Sequence, residues 1–285
     1  MAPPSPLLLD DALAALGSGS ARVLAGGTDL FAAAAGPRLA GPVVDIKRIP
    51  GMATIEAGDA GWRIGAGVTW SQLAGTEMPA AFDALKAAAR QVGSIQIQNR
   101  ATLAGNLCNA SPAADGVPAL LALDAAVEIA GPDGSRTLPL GEFLLGPRRT
   151  ALAPGEIVTA VVVPAQPAGA VGAFAKLGAR RYLVISIAMV AVVIAAEAGR
   201  ITAARVAVGA CSPVAVRLAA LEAALLGVTV DDAPAVPVAA HLAPLAPIDD
   251  VRAGAAYRRE AALVLVRRTL AAAAAMPGSR PGRAS

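Results

Sequence analysis

The chain has 285 residues, of which 55% are hydrophobic and 16% are charged, and its formal net charge is +3. This length suits two domains of roughly 100–200 residues each, and the apolar fraction excludes a disordered chain. The basic residues are scattered and aromatic residues make up only 3% of the chain, which excludes the basic, aromatic-rich surface typical of nucleic-acid binding.

The cysteines and the longest apolar run indicate the cellular compartment in which the protein is expected. Cys108 and Cys211 are far apart in the sequence, so neither a disulfide framework nor a CxxC site is expected. The apolar run at residues 183–196 is shorter than the about 20 residues that cross a bilayer, and its β-branched side chains favour a buried strand. We therefore predict a cytoplasmic protein with no membrane span.

The first 52 residues predict a small α/β unit. Helices are predicted at residues 10–16 and 28–35, and short strands at residues 22–25 and 43–46. The pair Gly26-Gly27 separates the first strand from the second helix. We assign residues 1–52 to a first subdomain.

Residues 53–166 predict a second subdomain of mixed helices and strands. The predicted elements are a strand pair at 53–57 and 62–66, helices at 69–73 and 80–92, and a hairpin at 125–130 and 136–138. The segment Pro164-Ala165-Gln166-Pro167 is typical of a domain boundary. We expect one domain to cover residues 1–166.

The rest of the chain predicts an α+β domain over residues 167–276. Its predicted strands are 173–178, 187–196 and 201–209, and its predicted helices are 216–225 and 255–275. The final segment, residues 277–285, is rich in Gly, Pro, Arg and Ser. Such a composition predicts a flexible tail.

The inventory of reactive side chains is small. His241 is the single histidine, and we expect it to have a structural or solvated role. Without a second histidine or a cysteine cluster, neither a zinc site nor a protein-ligated iron–sulfur cluster is expected. Any redox chemistry must therefore come from a bound organic cofactor.

A first glycine loop, Ala25-Gly26-Gly27-Thr28-Asp29-Leu30, runs from a predicted strand into a predicted helix. Such a turn presents consecutive backbone N–H groups that attract phosphate, and glycine lets an anion approach the main chain closely. The alternative is a plain helix start with Thr28 or Asp29 as its cap.

A second loop, Thr102-Leu103-Ala104-Gly105-Asn106, precedes Cys108, which we expect to be a small packed residue. Ser111-Pro112 is typical of a helix N-cap and first turn. Asp115 follows early in that predicted helix, where the helix dipole would stabilise its charge. Alternatively, Asp115 accepts hydrogen bonds from sugar or ribityl hydroxyls.

These segments resemble one known family. The first loop, the run from Asn99 to Asp115 and the segment at residues 118–124 are similar to the medium, FAD-binding subunits of the xanthine dehydrogenase and carbon monoxide dehydrogenase family. Residues 155–158 and 174–181 extend the resemblance in the same order along the chain. Ala104 departs from the family, which usually has a second glycine there. Its methyl group is compatible with binding if its φ is not positive.

The resemblance implies the residues that contact the cofactor. Both glycine loops would wrap the FAD pyrophosphate, Asp115 would meet a cofactor hydroxyl, Val158 would pack near the cofactor, and Lys176 would lie by the flavin. A cation at that point favours an anionic reduced flavin, although Lys176 could also be a solvated strand residue. The implied binding residues are Ala25, Gly26, Gly27, Thr28, Asp29, Leu30, Thr102, Leu103, Ala104, Gly105, Asn106, Asp115, Val158 and Lys176. No catalytic residue and no metal ligand are implied.

The resemblance also implies a fold and partners. The fold is a two-part FAD-binding domain of the vanillyl-alcohol-oxidase (PCMH) type followed by an α+β C-terminal domain. The FAD is noncovalent, since neither loop offers a His or Tyr for attachment. Partner subunits would carry the molybdenum cofactor and two 2Fe–2S clusters, in a dimer of heterotrimers. Two alternatives are a stand-alone FAD-dependent oxidoreductase and a flavin-free assembly or binding subunit.

Overall fold

The computed structural model describes residues 8–17, 19, 21–34, 39 and 41–277. The helices are α1 (Leu9–Gly17), α2 (Thr28–Ala32), α3 (Trp70–Gly75), α4 (Asp83–Ala89), α5 (Ile95–Gln98), α6 (Leu103–Asn109), α7 (Gly116–Ala122), α8 (Leu140–Phe143), α9 (Ala219–Leu225) and α10 (Ala255–Ala274). The strands are β1 (Arg22–Leu24), β2 (Val43–Asp45), β3 (Ile55–Gly58), β4 (Gly61–Gly65), β5 (Ala126–Gly131), β6 (Gly134–Pro139), β7 (Leu144–Gly146), β8 (Arg149–Thr150), β9 (Ile157–Pro164), β10 (Val171–Leu177), β11 (Ala188–Glu197), β12 (Arg200–Gly209) and β13 (Val216–Arg217).

The described residues form two compact units, each assembled from separate stretches of the chain. The first unit takes residues from 1–73, 95–110 and 124–165. The second takes residues from 74–94, 111–123 and 166–285. Each unit thus contains an α+β arrangement with its own sheet.

The first unit contains a parallel strand pair and a five-stranded antiparallel sheet. β1 pairs with β2, and the larger sheet has the order β3-β4-β9-β5-β6. Apolar side chains at alternating strand positions, such as Ile64, Val127, Ile129 and Val161, are fully buried. Alternation of this kind places every second side chain of a strand in the core.

The second unit contains an antiparallel sheet with the order β10-β11-β12-β13. β11 is buried along almost its whole length, and α10 packs against both β10 and β11. α7 contacts β11 and β12, and α9 contacts β12. Because helices cover this sheet, its central strand is a continuous apolar run instead of an alternating one.

The predicted α+β class is confirmed, with local corrections. The helix predicted at 216–225 is wrong at its start, because Val216 and Arg217 pair with β12 as strand β13 before α9 begins. The helix predicted to start at Ser111-Pro112 begins only at Gly116. The stretch predicted as one helix at 80–92 is a 3₁₀ turn followed by α4. The tail predicted at 277–285 lies outside the described residues, apart from its first residue.

Candidate functional site

The first glycine loop, Ala25–Leu30, lies in direct backbone contact with another segment of the first unit. A Cβ atom on Gly26 would lie 2.1 Å from the carbonyl oxygen of Arg100 and 2.7 Å from the Cα of Ala101. No side chain fits at such distances, so only glycine allows this approach. Gly27 has a φ of +77°, which also favours glycine.

Helix α2 begins in this loop without a side-chain cap. Its N-cap residue is Gly27, so neither Thr28 nor Asp29 plays the capping role considered as the alternative. Asp29 instead accepts a hydrogen bond from Asn109 at 2.9 Å. The first N–H groups of a helix have no intrahelical acceptor, and no side-chain cap supplies one here within the part of the chain that the structure describes. These groups can therefore donate to an anion.

The second loop, Thr102–Asn106, is the capped start of helix α6. Thr102 is 2% exposed, and its Oγ1 accepts a hydrogen bond from the Gly105 N–H at 3.0 Å. A Cβ on Gly105 would lie 2.9 Å from that same Oγ1. Ala104 is buried and is not among the residues with positive φ. Its methyl group is therefore compatible with a glycine-type loop at this position.

An unsatisfied polar atom lies in the second loop. The Asn106 Oδ1 is buried and has no hydrogen-bond partner among the residues that the structure describes. A buried acceptor left unpaired costs roughly 1–3 kcal/mol, so a donor on a bound molecule would stabilise this loop. This acceptor calls for a hydroxyl or N–H donor, whereas the uncapped amides of the first loop are donors that suit phosphate oxygens.

The structure brings both predicted loops together in the first unit, and Val158 belongs to the same unit. Val158 lies on β9, where it is 3% exposed and pairs with Ile129 of β5. Strand β9 contacts α6, the helix that starts from the second loop.

Asp115 and Lys176 form a buried ion pair in the second unit. The Lys176 Nζ lies 2.6 Å from the Asp115 Oδ2, and the two side chains are 6% and 9% exposed. The Lys176 Nζ also donates to the Gln91 carbonyl at 3.4 Å. Lys176 is therefore not a solvated strand residue, and the surroundings of Asp115 are buried and ionic.

Ser186 completes this cluster and was missed at the sequence level. Its Oγ donates to the Asp115 Oδ1 at 2.7 Å, and Ser186 is 1% exposed. Burial raises the pKa of Asp115, while Lys176 and Ser186 oppose that rise. Asp115 stands just before α7 but makes no side-chain cap there. The available signal for Ser186 was a hydroxyl inside the apolar run 183–196.

Among the described residues, no group of three or more His, Cys, Asp or Glu side chains is arranged to hold a metal. No helix among them is long and apolar enough to cross a membrane.

His241 and Cys108 are two further residues with reactive side chains. His241 accepts a hydrogen bond from the Val238 N–H at 3.1 Å through Nδ1, a structural contact. Cys108 is exposed, so the prediction that it is packed was wrong.

Comparison with known proteins covers nearly the whole chain. Residues 4–166 match the model of the FAD binding domain in molybdopterin dehydrogenase, and residues 173–273 match that of the CO dehydrogenase flavoprotein C-terminal domain. The chain is 33% identical over 277 residues to the nicotine 6-hydroxylase medium subunit of Paenarthrobacter nicotinovorans, covering 95% of this chain and 96% of that protein.

Two carbon monoxide dehydrogenases extend the comparison. The chain is 34% identical over 258 residues to the carbon monoxide dehydrogenase medium chain of Afipia carboxidovorans, covering 88% of each. A chain in the structure of reconstituted CO dehydrogenase from Oligotropha carboxidovorans has a TM-score of 0.86 at 30% identity. That match covers 96% of this chain and 99% of the other.

Proposed function

The chain belongs to the FAD-binding medium subunits of the molybdenum hydroxylases, and from this membership we propose that it is the electron-transfer subunit of such a complex. It takes electrons from the 2Fe–2S clusters of a small partner subunit and passes them to a terminal acceptor. The organic substrate is oxidised at the molybdenum cofactor of a large partner subunit. Like the other members, the chain is an oxidoreductase subunit.

The observation that carries the proposal is the contact between the two loops. Gly26 lets the first loop touch the segment before the second loop, and the first amides of α2 have no side-chain cap. We assign Ala25–Leu30 and Thr102–Asn106 to the FAD pyrophosphate and its surroundings. Backbone N–H groups favour phosphate oxygens in such a setting.

The remaining assignments rest on the family resemblance. Asp115, Val158 and Lys176 are proposed to contact FAD, and the ammonium group of Lys176 would favour an anionic flavin. When bound, FAD supplies a centre that accepts electrons singly and releases them in pairs. The chain's own residues bind the cofactor, orient it and set the charge around it.

The proposed assembly is a dimer of heterotrimers in the cytoplasm. The carbon monoxide dehydrogenase relative is called a medium chain, a name that supports a larger and a smaller partner chain in the proposed complex. Cys108 and Cys211 are both free thiols, as expected in a reducing compartment. The proposed domains are an FAD-binding domain at 1–166 with subdomains at about 1–52 and 53–166, and a C-terminal domain at 167–276. The two matched family models support this division.

We expect the purified chain to carry FAD without a covalent bond, because neither loop offers a His or Tyr for attachment. Acid precipitation should release the yellow chromophore into the supernatant, where chromatography should identify it as FAD. FMN in the supernatant, or a yellow pellet, would contradict the assignment. A colourless protein that binds no added FAD would favour a flavin-free assembly subunit.

Glycine variants provide the controls for this experiment. Gly27→Val should lose flavin, because φ is +77° at this position and a Cβ would lie 2.8 Å from the Phe31 ring. Gly141→Ala should keep wild-type flavin content, since a Cβ at Gly141 meets nothing within 4 Å. Circular dichroism checks that both variants are folded.

A further inference from the structure

We propose that Asn109 and Arg148 are positioning residues that fix the first loop (Ala25–Leu30) against the second loop (Thr102–Asn106). Neither residue belongs to a loop, and neither is assigned to contact the cofactor. The inference rests on the proposed function, in which the two loops bind the FAD pyrophosphate. All the residues involved lie in the first unit.

Asn109 ties the helix of the second loop to the first loop. It is the last residue of α6, which starts from the second loop. Its Nδ2 donates to the Asp29 Oδ1 at 2.9 Å, across 80 residues of sequence. This is a second connection between the loop regions, beside the backbone contact of Gly26 with Arg100. Asp29 therefore cannot move away from α6 without breaking this hydrogen bond.

Arg148 fixes the orientation of the Asn109 side chain. The Arg148 Nη1 donates both to the Asn109 Oδ1 and, at 3.2 Å, to the Asn109 carbonyl. A guanidinium group can only donate, so the oxygen of the amide must face Arg148. The NH₂ group then faces the Asp29 carboxylate, which can only accept when ionised. Arg148 thus selects the amide orientation that bridges the two loops.

The backbone of Arg148 supports the same role. Arg148 stands in the turn between β7 and β8 with a φ of +59°, a conformation that glycine adopts more easily than arginine. Its N–H donates to the Ala110 carbonyl at 2.8 Å, which holds the turn against the end of α6. The turn itself does not need an arginine side chain, whereas the Asn109 bridge does.

The consequence is measurable as FAD affinity. If the bridge preorganises the loops, its removal leaves them less ordered in the flavin-free protein. FAD binding must then order them, which costs free energy and weakens the affinity. Loss of one such hydrogen bond corresponds to an affinity about five- to tenfold weaker. Arg148 acts through Asn109, so removing both side chains should weaken binding no further than removing Asn109 alone.

The experiment compares Asn109→Ala, Arg148→Gly, the double variant and Arg149→Ala in the full chain. Arg148→Gly removes the side chain while relieving the positive φ, so the flavin-free variant should unfold at or above the wild-type temperature. Arg149→Ala is the matched control, because Arg149 makes no side-chain hydrogen bond or ion pair within the described part of the chain. FAD dissociation constants come from calorimetric titration of the flavin-free proteins, and unfolding temperatures from the same samples.

The expected result is about five- to tenfold weaker FAD binding in both single variants and in the double variant, with Arg149→Ala within twofold of wild type. Wild-type affinity in Arg148→Gly would overturn the inference. A flavin-free Arg148→Gly protein that fails to fold would overturn it too, because Arg148 would then serve the fold. Failure of the wild-type chain itself to bind FAD would instead overturn the proposed function.

Discussion

Asp115 and Lys176 form an ion pair that is almost fully buried, with side chains 9% and 6% exposed, and this burial determines how much the pair contributes to stability. A buried ion pair contributes little net stability, because the desolvation of both charges offsets their attraction. Removing one partner is different, since it leaves the other charge buried without compensation. The two partners respond to pH in opposite directions, because a carboxylate becomes neutral by taking up a proton and an ammonium group becomes neutral by losing one.

Lys176→Met should make stability fall as the pH rises. Burial already raises the pKa of Asp115, and Lys176 is the strongest group that opposes the rise. A carboxyl group whose pKa is higher in the folded chain than in the unfolded chain stabilises the fold at a pH below its unfolded pKa of about 3.9. This contribution is lost as the pH rises through the pKa of the folded chain. Urea unfolding of flavin-free protein between pH 4 and 8 should show a stability deficit that grows with pH and reaches about 1 kcal/mol or more relative to wild type.

Asp115→Asn is the partner experiment. It leaves the Lys176 ammonium buried without its carboxylate, so we expect a loss of about 3–5 kcal/mol. The double variant Asp115→Asn/Lys176→Met should recover much of that loss, because it buries no charge. Equal deficits for Lys176→Met at pH 4 and pH 8 would show that Asp115 does not titrate as inferred.

At the scale of elements, a buried arginine near the start of helix α10 adds hydrogen bonds to the apolar packing of this helix on the sheet of the second unit. Arg258 is 2% exposed, and its Nη1 donates to the carbonyls of Ile187 at 2.6 Å and Ala210 at 3.0 Å. Its Nη2 donates to the Asp250 Oδ1 at 2.7 Å. In the sequence, Arg258-Arg259 looks like any other basic pair, and only the fold reveals that the first of the two is buried.

Arg258→Met should destabilise the second unit by about 2–5 kcal/mol, because it leaves the buried carbonyls of Ile187 and Ala210 without their guanidinium donor. Asp250 would keep its ion pair with Arg252. Arg258→Lys should recover only part of this loss, since an ammonium group cannot reproduce the planar set of N–H donors of a guanidinium group. Arg268→Met, on an exposed position of the same helix, is the control and should change the free energy of unfolding by less than about 0.5 kcal/mol. Urea unfolding measures all three, and a harmless Arg258→Met would contradict the anchoring role.

At the scale of the whole molecule, the chain belongs to a family whose members are subunits. Among its described residues there is no metal-binding cluster. In the proposed function, the oxidation of an organic substrate belongs to another chain of the complex. The isolated chain would then lack part of the enzyme.

The isolated chain should bind no molybdenum and should not reduce an artificial dye with aldehydes, purines or N-heterocycles. A tagged chain recovered from its own cells should instead co-purify with two further chains, one with iron–sulfur clusters and one with molybdenum. Metal analysis and dye assays on both preparations make the comparison. Substrate-dependent dye reduction by the metal-free chain would contradict the electron-transfer role and favour a stand-alone flavoenzyme.

The sequence by itself determined the features that depend on neighbouring residues. The glycine pair at the end of β1, the hairpin of β5 and β6, and the apolar run of β11 follow from local conformation and hydrophobic patterning. The same local motifs carried the family resemblance and with it the FAD-binding function. Such signals are readable because each depends on a short segment.

Only the tertiary structure decided which distant residues meet. Asp115 finds Lys176 and Ser186 at separations of 61 and 71 residues, and Asn109 finds Asp29 and Arg148 at 80 and 39. Residues 216–217 join a strand because β12 offers an open edge, although their pattern predicts a helix. Such contacts depend on sheet register and on a chain path that interleaves the two units, and neither is encoded in the periodicity of any one segment.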